Sequence, residues 1–229
     1  MINAHTSLFS FALAAVLAAG CAHAAEPSAA TRPAAVKVDF ATAEVGKAAP
    51  GFTPAAGGPG KPGEWVVQQH PDDAKARVLV QTSTDATDKR YPMCVYDAFT
   101  GKDVTVGIRF RTVSGEVDQA AGIVVRYKDA KNYYVARANA LENNVRFYRV
   151  TDGTRQQIAG SNVEVAPGKW QSLTLTAKGG HFAVSFNDKL LYEADDATFA
   201  DAGKVGLWTK ADSVTQFTAM TIEGHEAAK

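Results

Sequence analysis

From Trp65 to Glu223 the chain is a succession of short β-prone runs set off by turn residues, and this pattern excludes most folds at once. The runs are WVVQQH, ARVLVQ, YPMCVYD, DVTVGIRFRT, AAGIVVRY, NYYVARAN, NVRFYRV, RQQIAG, KWQSLTLTAK, HFAVSFN, KLLYEA, KVGLWTK and SVTQFTAMTIE. Several alternate with period two. Val104, Val106, Ile108 and Phe110 share one side against Thr105, Arg109 and Arg111. Leu173 and Leu175 alternate with hydroxyl residues, and Phe182, Val184 and Phe186 alternate with Ala183 and Ser185. Asn187-Asp188 and Asp152-Gly153 fall between such runs, as hairpin turns do. No segment after residue 24 holds a helical period of useful length, and Asp195 to Ala202 has room for one helical turn at most. The expectation is an all-β chain of two antiparallel sheets packed face to face.

The N-terminus reads as a processing segment. Leu8 to Gly20 is an apolar run of signal-peptide length, too short to anchor as a membrane-spanning helix, and no Lys or Arg precedes it. Ala22-His23-Ala24 fits signal-peptidase cleavage after residue 24. Ala18-Ala19-Gly20-Cys21 is the competing reading, a lipobox that would leave Cys21 lipidated. Both export the chain, to the periplasm or beyond it, or to the bacterial envelope as a lipid-anchored protein. Residues 25–63 are rich in Ala, Pro and Gly and read as a flexible segment, with one short strand at 38–40 and a long irregular loop over PGFTPAAGGPGKPG. A single β domain is expected over 64–223, followed by a tail at 224–229. Trp65 opens the domain.

Lys plus Arg and Asp plus Glu both total 24. A neutral chain without a basic run is not built to hold a phosphate backbone, so nucleic acid is not an expected partner. Cys94 is the sole cysteine after Cys21, so the domain has no internal disulfide to rely on. Its setting between Met93 and Val95 makes it a buried small hydrophobe rather than a nucleophile.

Ala121 to Val150, Gly153, Lys169-Trp170, HFAVSFNDKLL and AGKVGLWTKADSVTQF at 202–217 together resemble the concanavalin A-like lectin/glucanase fold. More narrowly they are similar to a domain of secreted bacterial proteins related to laminin-G-type and family-16-glycoside-hydrolase-like modules. The resemblance spans residues 64–223 and implies a jelly roll whose concave face binds or cleaves glycans in the members that do so, some of them acting on keto-sugars. The laminarinase-type pattern Glu-x-Asp-x-x-Glu is matched only by Glu116-Val117-Asp118 and lacks its last carboxylate, Ala121 standing there. That segment reads as an exposed polar turn, so standard glucanase catalysis is not expected, and the sequence singles out no catalytic residue.

His70, His181 and His225 are isolated, and none has zinc-site spacing. His70-Pro71-Asp72-Asp73 reads as a solvated turn. Asp195-Asp196 and Glu142-Asn143-Asn144 leave room for a structural Ca²⁺ without supplying a full ligand set. No cofactor is implied. The charged residues of GIVVRYKDAKNYYVARANALENNVRFYRV are the remaining candidates: Arg126, Arg137, and Arg146 or Arg149 would line a groove beside Tyr134 and Trp208, with Glu142 on a neighbouring loop. Arginine donors suit sugar hydroxyls or a carboxylate, and aromatic faces suit pyranose rings. The competing reading makes them outward strand residues, with Trp208 in the core. Trp170, after Pro167-Gly168-Lys169, reads as a core anchor. The partner so implied is a saccharide or cell-envelope glycan. The alternatives are a hydrolase or lyase acting on a saccharide, including a keto-saccharide, and a non-catalytic envelope protein.

Overall fold

The computed structural model describes Met1 and residues 35–225; the leader, with both of its cleavage readings and Cys21, lies outside them. The strands in chain order are β1 (Val36–Asp39), β2 (Phe52–Gly57), β3 (Trp65–His70), β4 (Asp73–Gln81) and β5 (Tyr91–Gly101). Next come β6 (Val104–Ser114), β7 (Ala120–Asp129), β8 (Asn132–Asn139), β9 (Asn144–Thr151) and β10 (Thr154–Asn162). The last five are β11 (Gln171–Lys178), β12 (His181–Phe186), β13 (Lys189–Asp195), β14 (Gly203–Trp208) and β15 (Val214–Gly224). They form two antiparallel sheets. One runs β13-β12-β11-β6-β15-β4-β3 with β1 added on β15, and the other runs β10-β9-β8-β7-β14-β5-β2. This is the expected all-β sandwich. Among the described residues no helix is long and apolar enough to cross a membrane.

The alternation read in the sequence builds the core. Val104, Val106, Ile108 and Phe110 from β6, Leu173 and Leu175 from β11, and Phe182, Val184 and Phe186 from β12 all point inward. They meet Cys94, Ile123, Val125, Ala136, Phe147 and Leu207 of the facing sheet. Cys94 is buried as expected, and burial pushes its thiol pKa well up. Asn187 and Asp188 both take positive φ (48° and 62°), as do Asp152 and Gly153 (50° and 80°), the backbone a two-residue hairpin turn requires.

Four local expectations are corrected. The first strand lies at 36–39 rather than 38–40. The stretch read as a long loop contains β2, which stands at a sheet edge, where Pro54 lacks no needed donor. Asp195 to Ala202 forms no helical turn. Asp196 instead accepts hydrogen bonds from the Tyr134 hydroxyl (2.6 Å), Arg149 (2.6 Å) and the Thr198 N–H (2.9 Å), which pin the segment open. Trp170 lies outside the core, its ring stacked on His70 and its indole N–H donated to Asp72 (2.8 Å).

Arg126 departs most from simple alternation. A bulge between Val125 and Asp129 puts it at φ +49°, which turns it off the side it would share with Val124. Its buried guanidinium lies over the Phe182 ring and donates to the carbonyls of Lys102 (3.0 Å), Phe199 (2.8 Å) and Gly179 (2.5 Å). Gly203 permits this, because a Cβ there would come within 2.5 Å of the Arg126 backbone. Arg126→Leu would leave three carbonyls without donors. It should lower stability by about 3 kcal/mol, read as an earlier thermal unfolding transition.

Candidate functional site

The two faces of the seven-stranded sheet are both largely dry. The inner face carries the core. The outer face carries a second apolar cluster of Tyr91, Met93, Val124, Tyr133, Val135, Tyr148, Val150 and Trp208. What covers it is the sheet itself. Tyr148 on β9 and Tyr91 on β5 are four strand intervals apart, about 19 Å in a flat sheet. Yet the Arg155 guanidinium lies 4.3 Å from the Tyr148 ring and 5.1 Å from the Tyr91 ring. The sheet therefore curls into a concave palm. The β7–β8 turn arches over it until the Ala130 carbonyl lies against Gly57 of β2, and the β9–β10 turn is tied on by the Gly153 N–H donating to Lys131 O (3.0 Å).

The floor is Trp208, fully buried and stacked under Tyr91 with ring centroids 5.5 Å apart. Gly122 makes room for it: a Cβ there would meet the Ala136 carbonyl at 2.9 Å and the indole at 3.3 Å. Beside the floor are two polar networks. In the first, Arg137, 3% exposed, donates to Glu142 (2.7 Å), Asn144 (2.5 Å) and the Tyr148 hydroxyl (3.2 Å). In the second, Asp118, 1% exposed, accepts from Asn139 (2.5 Å) and pairs with Lys210, which also lies 3.6 Å from Asp88. Burial pushes the Asp118 carboxyl above its usual range even beside Lys210. The Lys210 ammonium, which burial would lower, is raised by Asp118 and then Asp88. A cavity of about 500 Å³ opens here, lined by Tyr91, Arg155, Lys210 and Asp88 together with the Gly58-Pro59 and Gly153-Thr154 turns.

Of the residues proposed from sequence, the fold gathers Arg137, Glu142, Arg146 and Trp208 on this face. Arg146 lies directly opposite Arg137 across β8 and β9 and donates to Asn162 (2.6 Å). Two are placed elsewhere. Arg126 is committed to the carbonyls described above. Tyr134 points into the core, packed on Phe147, Phe182 and Phe199, with its hydroxyl bonded to Asp196. The expected exposed turn around Asp118 is also corrected: Glu116 and Val117 are exposed, but Asp118 turns inward. Its turn is held by Asp212, which accepts from the N–H groups of Glu116, Val117 and Asp118. Asn139, Tyr148, Arg155 and Lys210 are not singled out by the sequence, which points to Asp118 only through an incomplete glucanase pattern and to Asn144 only as an oxygen ligand for calcium. Among the described residues no group of three or more His, Cys, Asp or Glu is placed to hold a metal ion.

Residues 46–223 match the 3-keto-alpha-glucoside-1,2-lyase-like domain family, and the chain belongs to it. It is also 28% identical over 132 residues to the levanase of Bacillus subtilis, a match covering 56% of this chain and 19% of that protein. The carbohydrate-binding module CBM66 from Bacillus subtilis shares the fold, with a TM-score of 0.63 at 23% identity, over 76% of this chain and 96% of the module. Domain 4 of AbnA, an extracellular arabinanase from Geobacillus stearothermophilus solved with arabinotriose, superposes with a TM-score of 0.56 at 11% identity, over 84% and 92% of the two chains. The chain is thus a β-sandwich domain whose relatives are carbohydrate-binding or glycoside-hydrolase-like.

Glu142 reports on the first network. Burial would raise its carboxyl, but Arg137 and then Asn144 outweigh burial and hold it below the ordinary 4.5. The contact is therefore complete above pH 4.5 and is lost as the pH falls through the lowered folded-state value. Carbon-detected NMR titration should place the Glu142 midpoint below 4.5, and Arg137→Gln should move it upward.

Proposed function

We propose that the palm of the seven-stranded sheet binds a saccharide, and that an exported domain uses it to hold glycan rather than to cut it. The observation that carries this reading is a set of buried donors with nothing to donate to. Arg137 Nε and Arg155 Nη1 have no hydrogen-bond partner among the described residues, both guanidinium groups lie over the Tyr148 ring, and Arg155 lines the cavity. Buried polar groups are ordinarily satisfied. Ring hydroxyls of a sugar are acceptors of the right kind for such donors. Relatives named for levan hydrolysis and carbohydrate binding support the same class of ligand.

The carboxylates favour binding over hydrolysis. Asp118 is held by Lys210 and Asn139, and Glu142 by Arg137 and Asn144, so neither stands free to act as a nucleophile or general acid across a glycosidic bond. A second reading, a lyase for a 3-keto-glucoside, is favoured by the family's description. There a base removes the proton next to the ketone and an acid protonates the departing oxygen, and the buried Asp118–Lys210 pair is the candidate for both tasks.

Calorimetry on the chain without residues 1–24, with fructan, arabinan and glucan oligosaccharides and a 3-keto-glucoside, separates these readings when paired with product chromatography. Binding without products is expected, weakened about tenfold or more in Arg137→Ala and Arg155→Ala. Products from the keto-sugar that vanish in Asp118→Asn would replace the binding reading with the lyase.

A further inference from the structure

The opposite side of the sandwich holds another cavity, of about 410 Å³, on the outer face of the eight-stranded sheet. It lies between β1, the tip of the β3–β4 hairpin, and strands β6 and β15. The tip reaches this position by leaving its own sheet. β15 holds β4 only through Thr215–Phe217 against Leu79–Gln81, and further along it pairs with β1 instead. The freed end folds back until His70 stacks on Trp170, ring centroids 4.9 Å and planes 18° apart, although β3 and β11 are four strand intervals distant. Asp72 locks this arrangement, accepting from the Trp170 indole (2.8 Å) and lying 3.5 Å from Arg111.

The lock leaves a group of donors without acceptors. Arg109 and Lys75 are exposed and line the cavity, and neither their guanidinium nor their ammonium group makes a hydrogen bond or ion pair to any described residue. The ring contact of Arg109 is with Trp170, at 5.8 Å. The Asp72 N–H donates to His70 Nδ1 (3.1 Å), which places the proton of the neutral imidazole on Nε2 and makes that atom a further donor. The cavity is cationic in a chain that is neutral as a whole. Lys37, Lys75, Arg77 and Arg109 stand against Asp39 and Asp73, and Asp39 already sits by Lys37 (3.8 Å). We infer that this cavity is a second binding site, for an oxyanion: the carboxylate of an acidic saccharide or a phosphate group, taken by Arg109, Lys75 and His70 Nε2. Trp170 acts as a positioning residue, with His70 and Arg109 both held against its ring.

This site is independent of the palm, and its test keeps the two apart. Thermophoresis on the chain lacking residues 1–24 would titrate oligogalacturonate and, separately, inorganic phosphate at low ionic strength. Millimolar or tighter binding of at least one probe is expected, weakened about tenfold in Arg109→Ala and less in Lys75→Ala, with Arg137→Ala unchanged. Preference between the probes identifies the source of the oxyanion. Far-ultraviolet circular dichroism confirms that each variant is folded. Binding of neither probe would overturn the inference. So would binding that survives both Arg109→Ala and Lys75→Ala, or that disappears in Arg137→Ala.

Discussion

A β-sheet has two faces, and in the seven-stranded sheet each must be kept from water, while the second sheet can cover only one. The rest of the structure follows from how the other face is covered. The sheet curls on itself until Arg155, from the edge strand β10, wedges between Tyr148 and Tyr91, which belong to strands four intervals apart. The guanidinium supplies cation–π attraction on both rings, each worth about 1 kcal/mol and more where water is excluded. Beneath it Trp208, Tyr133 and Met93 fill the hollow. A flat sheet would leave these rings exposed; the curled one buries them and leaves Tyr91 and Arg155 at the wall of a cavity.

The same constraint explains why charged residues lie at such depth. The strands that supply apolar side chains to the palm continue at one end into Arg137, Asn139 and Asn144, and the loops there add Asp118, Glu142 and Lys210. Burying these charges singly would be prohibitive, so they are buried in sets. Asp118 takes Lys210 and Asn139, and Arg137 takes Glu142, Asn144 and Tyr148. Arg126 solves the same problem elsewhere in the fold with backbone carbonyls, which ties loops together and leaves its guanidinium fully occupied.

The strands were legible because period-two burial leaves a direct mark on composition, as in β6, β11 and β12. β2 was hidden because Pro54 and its glycines resemble loop, and only its edge position makes them tolerable. Within the site, Arg137, Arg146 and Trp208 were readable as residues of one sheet region, and Glu142 as their loop neighbour. Arg126 was not, since nothing in VVRYKD announces a left-handed residue and a bulge that turns its side chain away. Asp118 looked like any carboxylate in a polar turn. Its partner Lys210 is far away in sequence, and so is the Asp212 that shapes its turn. Arg155 and Tyr91 are likewise joined only by curvature, which single-strand patterns do not encode. Trp170 reads as core because a tryptophan at a strand start usually is; its cover comes instead from a hairpin tip that has left its sheet.

The central claim is that the concave palm is the surface on which this domain takes its saccharide. It is tested most directly by mapping amide chemical-shift changes on the ¹⁵N-labelled chain, residues 25–229, as a bound oligosaccharide is titrated in. The account predicts that the largest changes fall on Arg137, Asn139, Glu142, Tyr148, Arg155 and Lys210, with β6 and β11 silent. Changes centred on Arg126 and Tyr134, or spread over the eight-stranded sheet with the palm unmoved, would contradict it.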